Sequence, residues 1–163
     1  MKRMLLMLAL VLTAIPVWAY TYKPPHGGIL VELGRQEAFV ELVYDAAEGS
    51  LLLYSLDENA ETRVLLEQNQ IVVHIISNSG APRSIVPLKA LEDRYTGETL
   101  GNTSTFKGQS EELKGLALGF SGVVVSVNSK GRNFRDVPFQ FPPNWSPSYG
   151  IGPSPTASPS AAN

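Results

Sequence analysis

GILVELGRQEAFVELVYD, residues 28–45, reads as two strand-like runs, Gly28 to Leu33 and Gln36 to Asp45, joined at Gly34-Arg35. Glycine at the first position of a two-residue loop marks a tight β-hairpin. With Leu33 set opposite Gln36, Leu30 faces Phe39 and Gly28 faces Glu41. Alternation then sorts the side chains onto two faces. Ile29, Val31, Leu33, Ala38, Val40, Leu42 and Tyr44 make an apolar face suited to a core. The other face carries Leu30, Glu32, Glu37, Phe39, Glu41 and Val43. His26, two residues before this hairpin, extends that acidic face and lies diagonal to Glu41.

The following chain repeats the pattern. Leu51 to Leu56 is apolar on both sides and reads as a central strand, and Gln70 to Ile76 is a second such run. Arg63 to Leu66 reads as a short edge strand. Arg83 to Leu88 reads as a strand in which Pro87 points to an edge or a bulge. Ser110 is placed to cap a single helical turn over Gln109 to Lys114. Gly122 to Val127 and Arg132 to Phe141 flank Asn128-Ser129-Lys130-Gly131 as a second hairpin. Seven or eight short strands without a long periodic helix predict an all-β fold, an antiparallel β-sandwich with a small β-barrel as the alternative.

Outside residues 24–141 the composition changes. Lys2 and Arg3 precede an apolar run from Met4 to Ile15, and Val17-Trp18-Ala19 offers small residues for cleavage. This reads as a signal peptide over residues 1–19, too short for the ~20 residues that span a bilayer. A periplasmic or secreted location follows, with no membrane anchor after cleavage. Residues 142–163 are rich in Pro, Ser, Gly and Ala and carry no charged side chain, which predicts a disordered tail. Trp145 and Tyr149 are its large side chains, placed either to dock on the domain or to stay in solvent.

Charge and cysteine content narrow the function. Of 13 basic and 15 acidic residues, Lys2 and Arg3 leave with the signal, so the exported chain is mildly acidic. That argues against nucleic-acid binding. With no cysteine and with Met1, Met4 and Met7 all inside the signal, the exported chain holds no sulfur ligand. No nucleophile elbow or phosphate-binding glycine loop is present. The paired acids Glu92-Asp93 and Glu111-Glu112 sit in polar loops and diverge. A non-enzymatic protein is expected.

Metal binding is the better chemical candidate. His26 and Glu41, with Glu32 and Glu37 nearby, would suit Zn²⁺ or Cu²⁺ if three or four ligands converge. The competing reading has Gly27 and Gly28 form a turn fixed by His26, with the glutamates as a solvated face. His74, between Val73 and Ile75, reads as a core or rim histidine. The phenylalanines from Phe106 to Phe141 read as core.

Pro25-His26-Gly27-Gly28, Val40-Glu41-Leu42-Val43 and Leu53-Tyr54-Ser55-Leu56-Asp57 together resemble a family of small exported bacterial proteins of unknown role. A similar succession occurs in the β-rich domain of periplasmic adaptors of heavy-metal RND efflux pumps. Ser104-x-Phe106, Leu113-Lys114-Gly115 and the closing hairpin extend the resemblance over most of residues 24–141. It implies a periplasmic β-sandwich linked to metal efflux, with His26, Gly27, Gly28 and Glu41 as the positions of interest. The chain lacks the helical hairpin, lipoyl-like half motif and methionine cluster of an adaptor. The expectation is therefore an exported binding or accessory module that handles a divalent metal. The alternative is a structural or protein-interaction domain with an envelope protein as partner.

Overall fold

The computed structural model describes residues 22–77, 84–116 and 118–143. The region read as a signal peptide, and the tail from residue 144, lie outside the described residues. Among the described residues there are eight strands: β1 (Ile29–Leu33), β2 (Ala38–Asp45), β3 (Ser50–Leu56), β4 (Gln70–Ser77), β5 (Ser84–Ala90), β6 (Thr105–Gln109), β7 (Phe120–Ser129) and β8 (Arg132–Phe141). A 3₁₀ turn, Glu111–Leu113, follows β6, and the Ser110 hydroxyl accepts the Glu112 N–H at its start, as expected of a cap.

All strands join one antiparallel sheet in the order β1-β2-β3-β6-β5-β4-β7-β8. The sheet curls until its two end strands face each other, so the all-β antiparallel architecture takes its barrel-like form. The seam between β1 and β8 is pinned at one end. There the Phe134 ring packs against Gly34, and Arg132 pairs with Glu37. Farther along, it opens into a cleft of about 420 Å³ lined by residues of both strands. The interior is continuous and apolar, with Tyr44, Phe106, Phe120, Phe139 and Phe141 among its large side chains. On β7 the buried positions step through Phe120, Gly122 and Val124, then Val127 and Ser129. This slip of parity coincides with Asp136 on β8, whose φ of 52° breaks the regular extended backbone.

Three local expectations are corrected. The first hairpin pairs Leu33 with Ala38 and Leu30 with Glu41, two residues beyond the expected register. The loop is four residues long because Gly34 and Gln36 both take positive φ, and the Glu32 carboxylate accepts the Gln36 N–H. An even slip preserves the two faces, so the core assignment stands. Pro87 lies in an interior strand, opposite Val72; the β5–β6 ladder covers only Lys89 and Ala90, so the proline lies past its end. Arg63 to Leu66 forms isolated bridges, Leu56 with Arg63 and Leu66 with Thr103, in place of a strand.

The outer face of β2 and β3 is covered. Tyr22 and Leu30 pack on Phe39, Leu56 and Ala60, with the Tyr22 and Phe39 rings 4.8 Å apart. The segment before β1 therefore folds back over the sheet, and the expected solvated glutamate face is partly interior.

Candidate functional site

The fold-back begins at Pro24-Pro25. Gly27 adopts a φ of 72° and its N–H reaches the Pro24 carbonyl at 3.4 Å, closing a tight turn. Gly28 is pressed flat on β2: a Cβ there would lie 2.3 Å from the Leu42 oxygen. Only glycine meets both demands. The turn lies directly over Glu41, which is 0% exposed although its side chain projects from the outer face of β2.

Glu41 is satisfied by this turn. Its Oε1 accepts the backbone N–H of His26 and of Gly28, each at 2.8 Å. Its Oε2 lies 2.7 Å from His26 Nδ1. The half-buried imidazole stacks on Tyr54, with ring centroids 3.8 Å apart and an interplanar angle of 13°. Its other nitrogen, Nε2, is 3.0 Å from Arg63 Nη2. A guanidinium only donates, so Nε2 acts as acceptor and the Nδ1 proton is directed at Glu41. The partners thereby select one neutral tautomer.

Arg63 is held by the loop between β3 and β4. The Val64 N–H bonds to the Ser55 carbonyl at 3.0 Å, and Asp57 Oδ1 accepts the N–H groups of Asn59, Glu61 and Thr62. The guanidinium also lies over the Tyr54 ring, 5.2 Å from its centroid. A second buried carboxylate, Glu98, organises the loop between β5 and β6. It accepts the hydroxyls of Thr103 and Ser104, each at 2.7 Å, and the Ser104 N–H at 3.0 Å. Burial works to raise its pKa, but these hydrogen bonds and the Arg63 charge hold it below the ordinary 4.5. Arg63 thus acts on both His26 and Glu98, linking the amino-terminal turn to two loops.

The structure brings His26 and Glu41 together, as a hydrogen-bonded pair. Both carboxylate oxygens are occupied by N–H donors, and Arg63 stands at the free imidazole nitrogen. Among the described residues no group of three or more His, Asp or Glu side chains gathers as a metal site. Glu32 binds the Gln36 amide and Glu37 pairs with Arg132, both away from the imidazole. The arrangement does not fit the three or four converging ligands that Zn²⁺ or Cu²⁺ demands. His74 is exposed on the outer face of β4 and does not join the pair. Sequence reasoning missed Arg63 as a partner of His26 and Glu98 as a buried acid. Both lie in polar loops, where no periodicity reports which way a side chain turns.

No family model, no curated protein and no solved structure matches this chain.

Proposed function

We propose that this chain is a non-enzymatic interaction module of the cell envelope, exported by its amino-terminal segment and acting on a protein partner. One observation carries this reading: the polar groups of the His-Gly-Gly turn are directed inward, at Glu41, Tyr54 and Arg63, and so build a clamp. The clamp, with Glu98, orders the two loops that present Leu65, Leu91, Tyr95 and Leu100 to solvent. Tyr95 is 102% exposed and Leu100 62%. Large apolar side chains held out on ordered loops fit recognition of another protein. Periplasmic placement rests on the signal-like start of the sequence.

The second reading is divalent-metal handling, as the resemblance to efflux-adaptor domains implies. A specific feature favours it: a carboxylate behind Nδ1 is the device that orients metal-binding histidines and raises their basicity. Nε2 would be the ligand atom, after Arg63 swings away.

Two measurements separate these readings. Calorimetric titration of the protein and of His26→Ala with Zn²⁺ and Cu²⁺ is expected to give no His26-dependent heat. Micromolar binding lost in the variant would establish the metal reading instead. A photo-reactive side chain at Tyr95 is expected to cross-link one discrete envelope protein in intact cells, and to lose it when Leu100→Asp is added. No such adduct, or one indifferent to Leu100→Asp, would overturn the interaction reading.

A further inference from the structure

The outward faces of β5, β4, β7 and β8 carry a row that is apolar except for His74. Ile85, His74, Val123 and Pro138 are paired in that order across the four strands. Val72 opposite Pro87 flanks this row on one side, and Ile76 on the other. Ile85 is 66% exposed; His74, Pro87 and Pro138 are exposed, and Val72, Ile76 and Val123 half-buried. On the inward face Val86, Val73, Val124 and Val137 are already buried, so the outer row belongs to no core.

Its size selects an occupant. The row is roughly 15 Å across three strand spacings and roughly 14 Å along β4 from Val72 to Ile76. An area of about 200 Å² falls well short of the ~800 Å² per partner that a stable dimer buries. A second copy is therefore poorly matched, whereas one extended segment is well matched.

The chain supplies such a segment. After Phe141 it bends over Gly119: a Cβ on that glycine would lie 2.6 Å from the Phe141 oxygen and 2.8 Å from the Pro143 nitrogen. Gly119 leads into β7, so the chain turns toward β7 as it leaves β8, at the sheet end that holds Ile76 and Ile85. Beyond lie Trp145, Pro147, Tyr149 and Ile151, at every second position, separated by Ser146, Ser148 and Gly150. In an extended chain those four share one face, and proline favours extension of the residue before it. From Trp145 to Ile151 the reach is about 23 Å, enough to cross the row. No residue from 142 to 163 is charged, so the segment brings no ion onto the apolar surface.

We propose that Trp145–Ile151 lies extended across the outer face of β7, β4 and β5 of its own chain, its odd-numbered side chains on Val123, His74 and Ile85.

The test uses the full chain with Trp18→Phe, which leaves Trp145 as the single indole. Its emission is expected to be blue-shifted, and acrylamide quenching several-fold weaker than in a peptide of residues 144–153, at every protein concentration. Ile85→Glu, at an exposed site, is expected to raise quenching several-fold while the circular dichroism spectrum and unfolding midpoint stay unchanged. Independently, a photo-reactive side chain at His74 is expected to cross-link to the Trp145–Ile151 peptide within one chain. Peptide-like quenching indifferent to Ile85→Glu would overturn the proposal. Shielding that vanishes on dilution, or cross-links formed only between two chains, would assign the segment to a second copy and overturn it equally.

Discussion

Glu41 and His26, fifteen residues apart, are joined twice: the carboxylate accepts the histidine's backbone N–H at 2.8 Å and faces its Nδ1 at 2.7 Å. A third bond, from Gly28 N–H at 2.8 Å, completes the clamp. A buried acid thus replaces the ladder hydrogen bonds that this turn cannot make.

Glu41→Ala leaves two amides and one imidazole N–H facing a buried void. Each unsatisfied buried donor costs about 1–3 kcal/mol, so the variant is expected to lose roughly 3 kcal/mol or more. Urea unfolding checks this. A loss below about 1 kcal/mol would mean that water reaches the site and the clamp is superficial.

Tautomer selection predicts non-additivity. In Glu41→Gln the new amide NH₂ opposes the Nδ1 proton, and moving that proton to Nε2 sets it against Arg63. Adding Arg63→Ala frees Nε2, so the double variant is expected to be more stable than the two single losses summed, by on the order of 1 kcal/mol. Nitrogen-15 shifts of the imidazole should report the proton moving from Nδ1 to Nε2 only in the double variant. Simple additivity with an unmoved proton would disprove the coupling.

Gly27 and Gly28 are glycine for different reasons, and substitution should tell them apart. Alanine at Gly27 is strained by the positive φ, a cost of about 1–2 kcal/mol. Alanine at Gly28 meets the Leu42 carbonyl oxygen at 2.3 Å, backbone that cannot turn aside. Gly28→Ala is therefore expected to be the worse variant and to expose β1 amides to hydrogen exchange. Equal melting temperatures for the two would contradict this.

Acid should act on the loop between β5 and β6. The Glu98 pKa is lowered in the folded state, so its contribution is present above the unfolded carboxylate range and lost as pH falls through the folded value. Hydrogen exchange at residues 98–104 is expected to accelerate as the pH falls below the ordinary carboxylate range. Glu98→Gln should be less stable at neutral pH and lack this acid-side loss. An unchanged acid limb in that variant would assign the loss to other carboxylates.

Tyr44 joins the interior to the connection between β6 and β7. Its hydroxyl donates to the Leu113 carbonyl at 2.5 Å and accepts the Leu116 N–H at 3.1 Å, and burial pushes its pKa above 10.0. Tyr44→Phe strands both partners and is expected to cost about 1–2 kcal/mol. Denaturant unfolding, with proteolysis of residues 110–119 as the local readout, checks the loss; wild-type stability would show that the connection is held elsewhere.

Much of the strand content was legible because burial on a sheet imposes a period of two. Ile29 to Leu33 and Ala38 to Tyr44 declare their inner face by alternation alone, and the two-residue register error left that face intact. Loop conformation was not legible. Positive φ at Gln36 is a property of a residue that usually avoids it, and the bond from Gln36 N–H to Glu32 forms only in the closed loop.

By itself the sequence determined the all-β class, the interior face of the first hairpin and the Ser110 cap, because these follow from periodicity and local hydrogen bonding. It also picked His26 and Glu41 as a pair. The tertiary structure alone decided what that pair is. The loop after β3 and the fold-back before β1 meet over the outer face of β2 and β3, where they put Arg63 and Tyr54 around the imidazole and bury Glu41 beneath it. Contacts between segments distant in sequence depend on chain closure, and no local pattern records them.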